Sequence, residues 1–336
     1  MPTAENAAVK YESGQNLVSW EALSDTGDRT VFNTVSSLIS NKSGFKIDVK
    51  PNGVATGGVM TVPASGSNDV VDVAALTCYL TGVSTSVGAG VDVSLTRPGS
   101  DVSLVNSVTV NASGGLAVVV GASGATTAFS ETRGAAGGPP FVPVTSIEVG
   151  QVRLTANAAA PIVASEIKQV VEVHQERYDF PTFQVDRIRT SNKIIGYAGV
   201  DFDAAIMANH TGGVGKKVYA QYYTPIFASV PNSSDFVPPE TSHSVSSTQI
   251  YEKTIASSSE SLGQGSFTAY LTDGISDGLI SEKNNELWFK FYQDVLDTQY
   301  IATQGKLGIT RTFPAGDSIT AACTISSEIE AKEVVG

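Results

Sequence analysis

Residues 265–325 constrain the fold of this chain more than any other stretch. They open with Gly-Ser-Phe-Thr-Ala-Tyr-Leu (265–271), where Phe267, Ala269 and Leu271 share one face of a period-two alternation. That pattern specifies a strand with one side in a core. The polar segment 272–286 is long enough for a turn and one short helix, expected near 273–285. Leu-Trp-Phe-Lys-Phe-Tyr (287–292) follows, dense in the aromatics that suit a pleated surface. Residues 300–311 read as a strand, Phe313-Pro314-Ala315-Gly316-Asp317 as a turn, and 318–325 as the return strand. A closing hairpin over 305–325 is therefore expected, in a unit without catalytic spacing.

The rest of the chain is punctuated in the same way. Its 32 glycines separate short runs of Val, Thr, Ser and Ala, and only 16% of its residues are charged. Mainly β structure is the expectation, and 336 residues imply about two domains. Between 44 and 165 there are only five basic and seven acidic residues. Apolar runs recur there at 70–80, 90–95, 102–110, 116–120 and 146–154. Strands at that spacing predict an additional β-sandwich-like domain. The breaker cluster 133–140, with Gly137-Gly138-Pro139-Pro140, reads as a long crossing loop. Residues 166–336 form the second β domain. In it, 166–178 is strand-like, and 193–203 with 218–223 reads as a hairpin around the glycine-rich tip 209–217. The serine-rich run 242–264 reads either as two strands with a polar wall or as a loop. Residues 1–43 hold too little apolar material to fold alone. They read as a terminal arm, either loosely packed or ordered against a neighbouring subunit through Trp20 or Phe32.

The net charge is −12, from 21 basic and 33 acidic side chains, with no basic stripe that could hold nucleic acid by its phosphates. Acidity is usual for a soluble protein, and it also suits a wall along which DNA must slide without sticking. Cys78 and Cys323 stand far apart in apolar contexts and read as buried thiols. The opening residues lack the layout of a secretion signal, so synthesis in the cytosol is expected, and no apolar run is long enough to span a membrane. Ser233, Asp235 and His243 invite a hydrolase reading, but no nucleophile elbow accompanies them. His174, His210 and His243 show no metal-binding spacing, and His210 reads as a turn residue. Asp201 and Asp203 share a strand face, as paired carboxylates of glycosidases do, yet a solvated face explains them as well. Asp273-Gly274 and Asp277-Gly278 fit turn and helix-start duty better than a calcium loop. Trp288, Phe289, Phe291 and Tyr292 have only the single Lys290 among them, not the repeated basic interleaving of a base-stacking surface, and read as core.

The Phe-Thr-Ala-Tyr-Leu strand, the short helix, Trp-Phe-Lys-Phe-Tyr and the hairpin 305–325 together resemble the closing half of major tail (tail tube) proteins of long-tailed, siphovirus-type bacteriophages. Gly137-Gly138-Pro139-Pro140, Glu176-Arg177-Tyr178-Asp179, His210-Thr211-Gly212-Gly213 and Pro238-Pro239-Glu240-Thr241-Ser242-His243 extend the resemblance over roughly the whole chain. The resemblance implies a β-barrel or sandwich with one short helix over 166–336, an outward-facing β domain over 44–165, and copies assembled into stacked, six-membered rings. The tube would lie in the virion tail and conduct DNA without binding it. Its partners would be itself, a tape-measure protein and a tail terminator, with no cofactor, no metal, no membrane and no catalysis. On this reading Glu252 and Glu260 face the lumen, and Trp20, Phe32, Phe313 and Ile325 serve assembly. The alternative from another class is a fibre or adhesin β protein that binds carbohydrate, which the glycine-rich strands and the Asp201/Asp203 pair allow.

Overall fold

The computed structural model describes residues 6–36, 38–191, 194–251 and 253–335. The protein is mainly β with one short α-helix, and its sheets stack in sandwich-like fashion without closing into a barrel. The chain begins with β1 (Ala8–Ala22), β2 (Ser24–Asp25), β3 (Val31–Asn33) and β4 (Asp48–Pro51). It then makes β5 (Gly53–Gly57), β6 (Met60–Thr61), β7 (Val70–Val73), β8 (Leu76–Leu80) and β9 (Val83–Val87). Next come β10 (Gly90–Ser94), β11 (Leu104–Val110), β12 (Leu116–Val120), β13 (Ile147–Leu154) and β14 (Ile167–Lys168). The remainder supplies β15 (Phe183–Ser191), β16 (Ile194–Phe202), β17 (Val218–Ser229), β18 (Ser233–Val237), β19 (Thr241–Ile250) and β20 (Lys253–Leu262). It ends with β21 (Gly265–Tyr270), α1 (Gly278–Ser281), β22 (Glu286–Tyr292), β23 (Tyr300–Thr312), β24 (Thr320–Ser326) and β25 (Lys332–Val334).

Three small sheets make the sandwich: β5-β8-β9, β10-β7-β6 and β12-β11-β13-β14. Their inner faces meet in one apolar cluster that includes Val71, Cys78, Val108, Ile147, Val152 and Leu154. Every residue of β11 is buried, since β12 and β13 flank it and the other layers cover it. The polar Asn106 survives there because its amide both accepts from Thr96 N at 3.1 Å and donates to Thr96 O at 2.9 Å. The crossing loop packs inward at residues 137–140, all buried. Gly137 has φ +70°, and a Cβ there would overlap Ser103 Oγ, so only glycine fits.

The body is a nine-stranded antiparallel sheet, ordered β18-β21-β24-β23-β22-β1-β17-β4, with β25 added on β23. A second sheet, β15-β16-β3-β2, packs beside it. β24 shows why the closing hairpin folds as its alternation predicts: Ala321, Cys323 and Ile325 point into the core while their neighbours face solvent. Trp288 is fully buried, and its indole N–H is satisfied by the carbonyl of Ile39 at 2.8 Å.

Four expectations change. Residues 8–22 are not an arm: β1 runs inside the large sheet between β22 and β17, its backbone bonded on both sides, so it needs few apolar anchors of its own. The sandwich runs from β5 to β14 and not from 44 to 165, since β4 belongs to the body and β14 to the sandwich. Residues 169–175 turn back on themselves and form no strand, with Glu172 at φ +55°. Finally, β16 and β17 are not hairpin partners: β16 pairs with β15 and β3, and β17 with β1 and β4. The intervening loop is drawn into the interior by Asn209, His210 and Lys216, all buried, and so does not act as a free tip.

Candidate assembly surface

The serine-rich run becomes a long ribbon. β19 and β20 pair with each other in unbroken antiparallel register, from Thr241 opposite Leu262 to Ile250 opposite Lys253. Among the described residues neither strand pairs with any other. Ten residues per strand, at about 3.3 Å each, give a ribbon on the order of 33 Å long. On one face the hydroxyls form cross-strand rungs: Ser242 with Ser261 at 3.0 Å, Ser244 with Ser259 at 2.7 Å and Ser246 with Ser257 at 2.8 Å. Ser–Ser rungs hold the register where no buried face can, which is why the sequence there shows no apolar stripe. Val245, Ile250, Tyr251 and Ile255 are exposed near or toward the tip, Tyr251 completely at 100%.

A two-stranded ribbon is marginal by itself, and its outer edges present unpaired N–H and C=O groups. Natural edges are usually blunted with charge or proline, yet this one carries little besides His243, Lys253 and Glu260 among its described residues. Its chemistry suits a further strand added to either edge.

The predicted site residues do not gather there. Glu260 lies on the ribbon, exposed and opposite His243. Glu252 lies outside the described residues. Phe32, 4% exposed, packs edge-on against Phe202 at 5.6 Å and is a core residue. Ile325, at 0%, is also core, buried by the alternation of β24. Trp20 is half-buried, and a Cβ at Gly82 (φ +81°) would overlap its ring, so it touches the sandwich of its own chain. Phe313 alone of these four stays at the surface, 56% exposed beside Arg311.

The chemistry weighed from sequence also separates. Ser234 donates to Asp235 at 2.8 Å, while His243 stands out on the ribbon opposite Glu260. Asp277 accepts the amides of Thr272, Asp273 and Gly274, and Asp273 accepts those of Ile275 and Ser276, which is turn duty. The Ser276 hydroxyl, which donates to Asp273, together with the Ile275 and Ser276 amides holds the exposed Asp273 carboxyl down at about 2. Among the described residues no group of three His, Cys, Asp or Glu is placed to hold a metal ion. No helix of the described chain is long and apolar enough to cross a membrane.

What sequence reading missed is a buried ionic seam between sandwich and body. His210 opens the turn Thr211–Gly213, and it is also fully buried, with Nδ1 3.0 Å from Val142 O. Burial pushes its imidazole below the usual range. Glu148 on β13 is buried against Arg133, and Lys216 is buried against Glu172 at 2.8 Å. Their only signal in the sequence was isolated charge, and the partners stand 15 and 44 residues apart. The chain matches no protein-family model, and no curated protein is similar to it in sequence.

Proposed function

We propose that this protein is a structural subunit of a phage tail tube, assembling through strand edges into stacked rings around a passage for DNA. The observation that carries the reading is the ribbon β19–β20, which offers two open edges and little charge to keep a neighbour away. Edge-to-edge pairing between identical copies is a heterologous contact, and it closes into a ring when the rotation permits. The tail-tube resemblance of the closing hairpin supplies the setting. Six copies per ring, a virion-tail location after synthesis in host cytoplasm, and contacts with a tape-measure protein and a tail terminator all follow from it.

A net charge of −12 favours passage of DNA over capture. Glu252 and Glu260 would face that passage, and no catalytic step is needed. The protein would act by assembly alone. Negative-stain electron microscopy of the purified chain tests this: rings or tubes are expected. Discrete monomers that bind a glycan on an array would replace it with the adhesin reading.

A further inference from the structure

Between sandwich and body lies a strap, residues 169–180, tied to both. Toward the sandwich, Glu176 N donates to Glu148 O at 2.9 Å, Val54 N to Glu176 O at 2.8 Å and Tyr178 N to Val54 O at 3.3 Å. Gln175 Nε2 adds a bond to Val149 O at 3.2 Å. Toward the body, Lys216 Nζ reaches Glu172 Oε1 at 2.8 Å, Phe180 O at 2.6 Å and the carbonyl of Arg177, and Met207 N donates to Glu172 Oε2 at 3.3 Å.

Three carboxylates meet here: Glu148, Glu172 and Glu176. Two have cations. Glu148 is paired with Arg133 and also accepts from Ser107 and from Gln151 Nε2 at 3.1 Å. Glu172 has Lys216. Glu176 is fully buried, and its Oε2 accepts Glu148 N at 2.6 Å while its Oε1 has no hydrogen-bond partner. Among the described residues no cation touches it. With all three ionised, the seam would hold one negative charge in excess, in a place from which water is excluded. That is the arrangement a buried carboxyl relieves by keeping its proton.

We propose that the strap is a proton-held latch, in which a neutral Glu176 lets the sandwich close on the body and loss of its proton opens the strap from β13. The other charged groups facing the seam do not supply the missing cation. Arg177 is engaged with Asp179 at 2.8 Å, and Arg153 with Glu131 at 2.6 Å. His174 and His210 are pushed toward the neutral form by burial. Lys168 and Lys217 act at a distance, on His174 and on His210. Burial lifts the Glu176 carboxyl to about 8, opposed by the Glu148 amide and the charge of Lys216 and aided by the charges of Glu148 and Glu172. A carboxyl raised on closing gives a latch that is fully tight below the ordinary carboxylate range, weakens as pH rises, and is spent above about 8. The latch lies within a single chain and closes without self-assembly.

Amide hydrogen exchange of the intact protein between pH 6 and pH 9, corrected for intrinsic rates, reads the latch directly. Protection of the Glu148, Glu176 and Tyr178 amides is expected to fall roughly a hundredfold over that interval. Glu176→Gln, which keeps the shape and removes the charge, should hold protection level. Unchanged protection in the wild type, or an equal fall in E176Q, overturns the proposal. A carbon-13 carboxyl titration of the glutamate-labelled wild type needs no variant. One glutamate titrating near 8 supports the latch, and none titrating above about 6 refutes it.

Discussion

Phe32 and Arg133 show what individual side chains decide. Phe32, on β3, packs against Phe202 of the neighbouring β16 in a buried apolar cluster, so Phe32→Ala should lower unfolding stability by about 3–5 kcal/mol. Urea denaturation would measure this, and a loss of assembly without such destabilisation would restore the interface role expected from sequence. Arg133→Ala strands a buried carboxylate, which costs about 3–5 kcal/mol, and adding Glu148→Gln should recover much of it. A double variant no more stable than R133A would mean that Arg133 contributes through packing and its bond to Pro140 O instead. Cys78 and Cys323 are free and buried, their thiols raised to about 11 and about 12 by desolvation. Neither should react with a thiol reagent at neutral pH until denaturant is added.

Elements differ in what can be removed. Among the described residues the ribbon β19–β20 pairs with no other strand, and its base is held by Thr241 N donating to Glu330 Oε1 at 3.3 Å, so replacing only 243–260 by an Asn-Gly turn between Ser242 and Ser261 should leave the melting temperature within a few degrees. The same replacement should abolish rings or tubes in the microscope. Normal tubes from a folded ribbon-less chain would exclude β19–β20 as the joining element. Removing 305–336 is a different experiment. β23 and β24 lie inside the large sheet and carry Leu307, Ile309, Cys323 and Ile325 in its core, so the truncation should unfold the body before any assembly step is reached.

The whole molecule has separate apolar clusters for sandwich and body, joined by a polar seam. Calorimetry should therefore resolve two transitions. Leu154→Ala should lower the one belonging to the sandwich and Leu307→Ala the other, each by about 2–5 kcal/mol in stability. One transition moved equally by both variants would mean that the seam makes the two units fold as one.

The division between sequence and tertiary structure follows the range of the signals. Period-two alternation in β21 and β24, the Pro-Ala-Gly-Asp turn, the short helix after Asp277 and the mainly β class were all legible, because each depends on neighbours within a few positions. The ribbon was half legible: its serines left strand and loop equally open, and only the rungs to 257–261 show the register. Placement of β1 inside the large sheet was not legible, since its partners are β17 and β22, some two hundred residues or more away. The same holds for Phe32, which meets Phe202, and over a shorter range for Glu148 and Glu176, 28 residues apart, whereas the burial of Ile325 follows the alternation of β24. Exposure, and the presence of a counter-charge, are properties of the space around a side chain, and only long-range strand pairing creates that space.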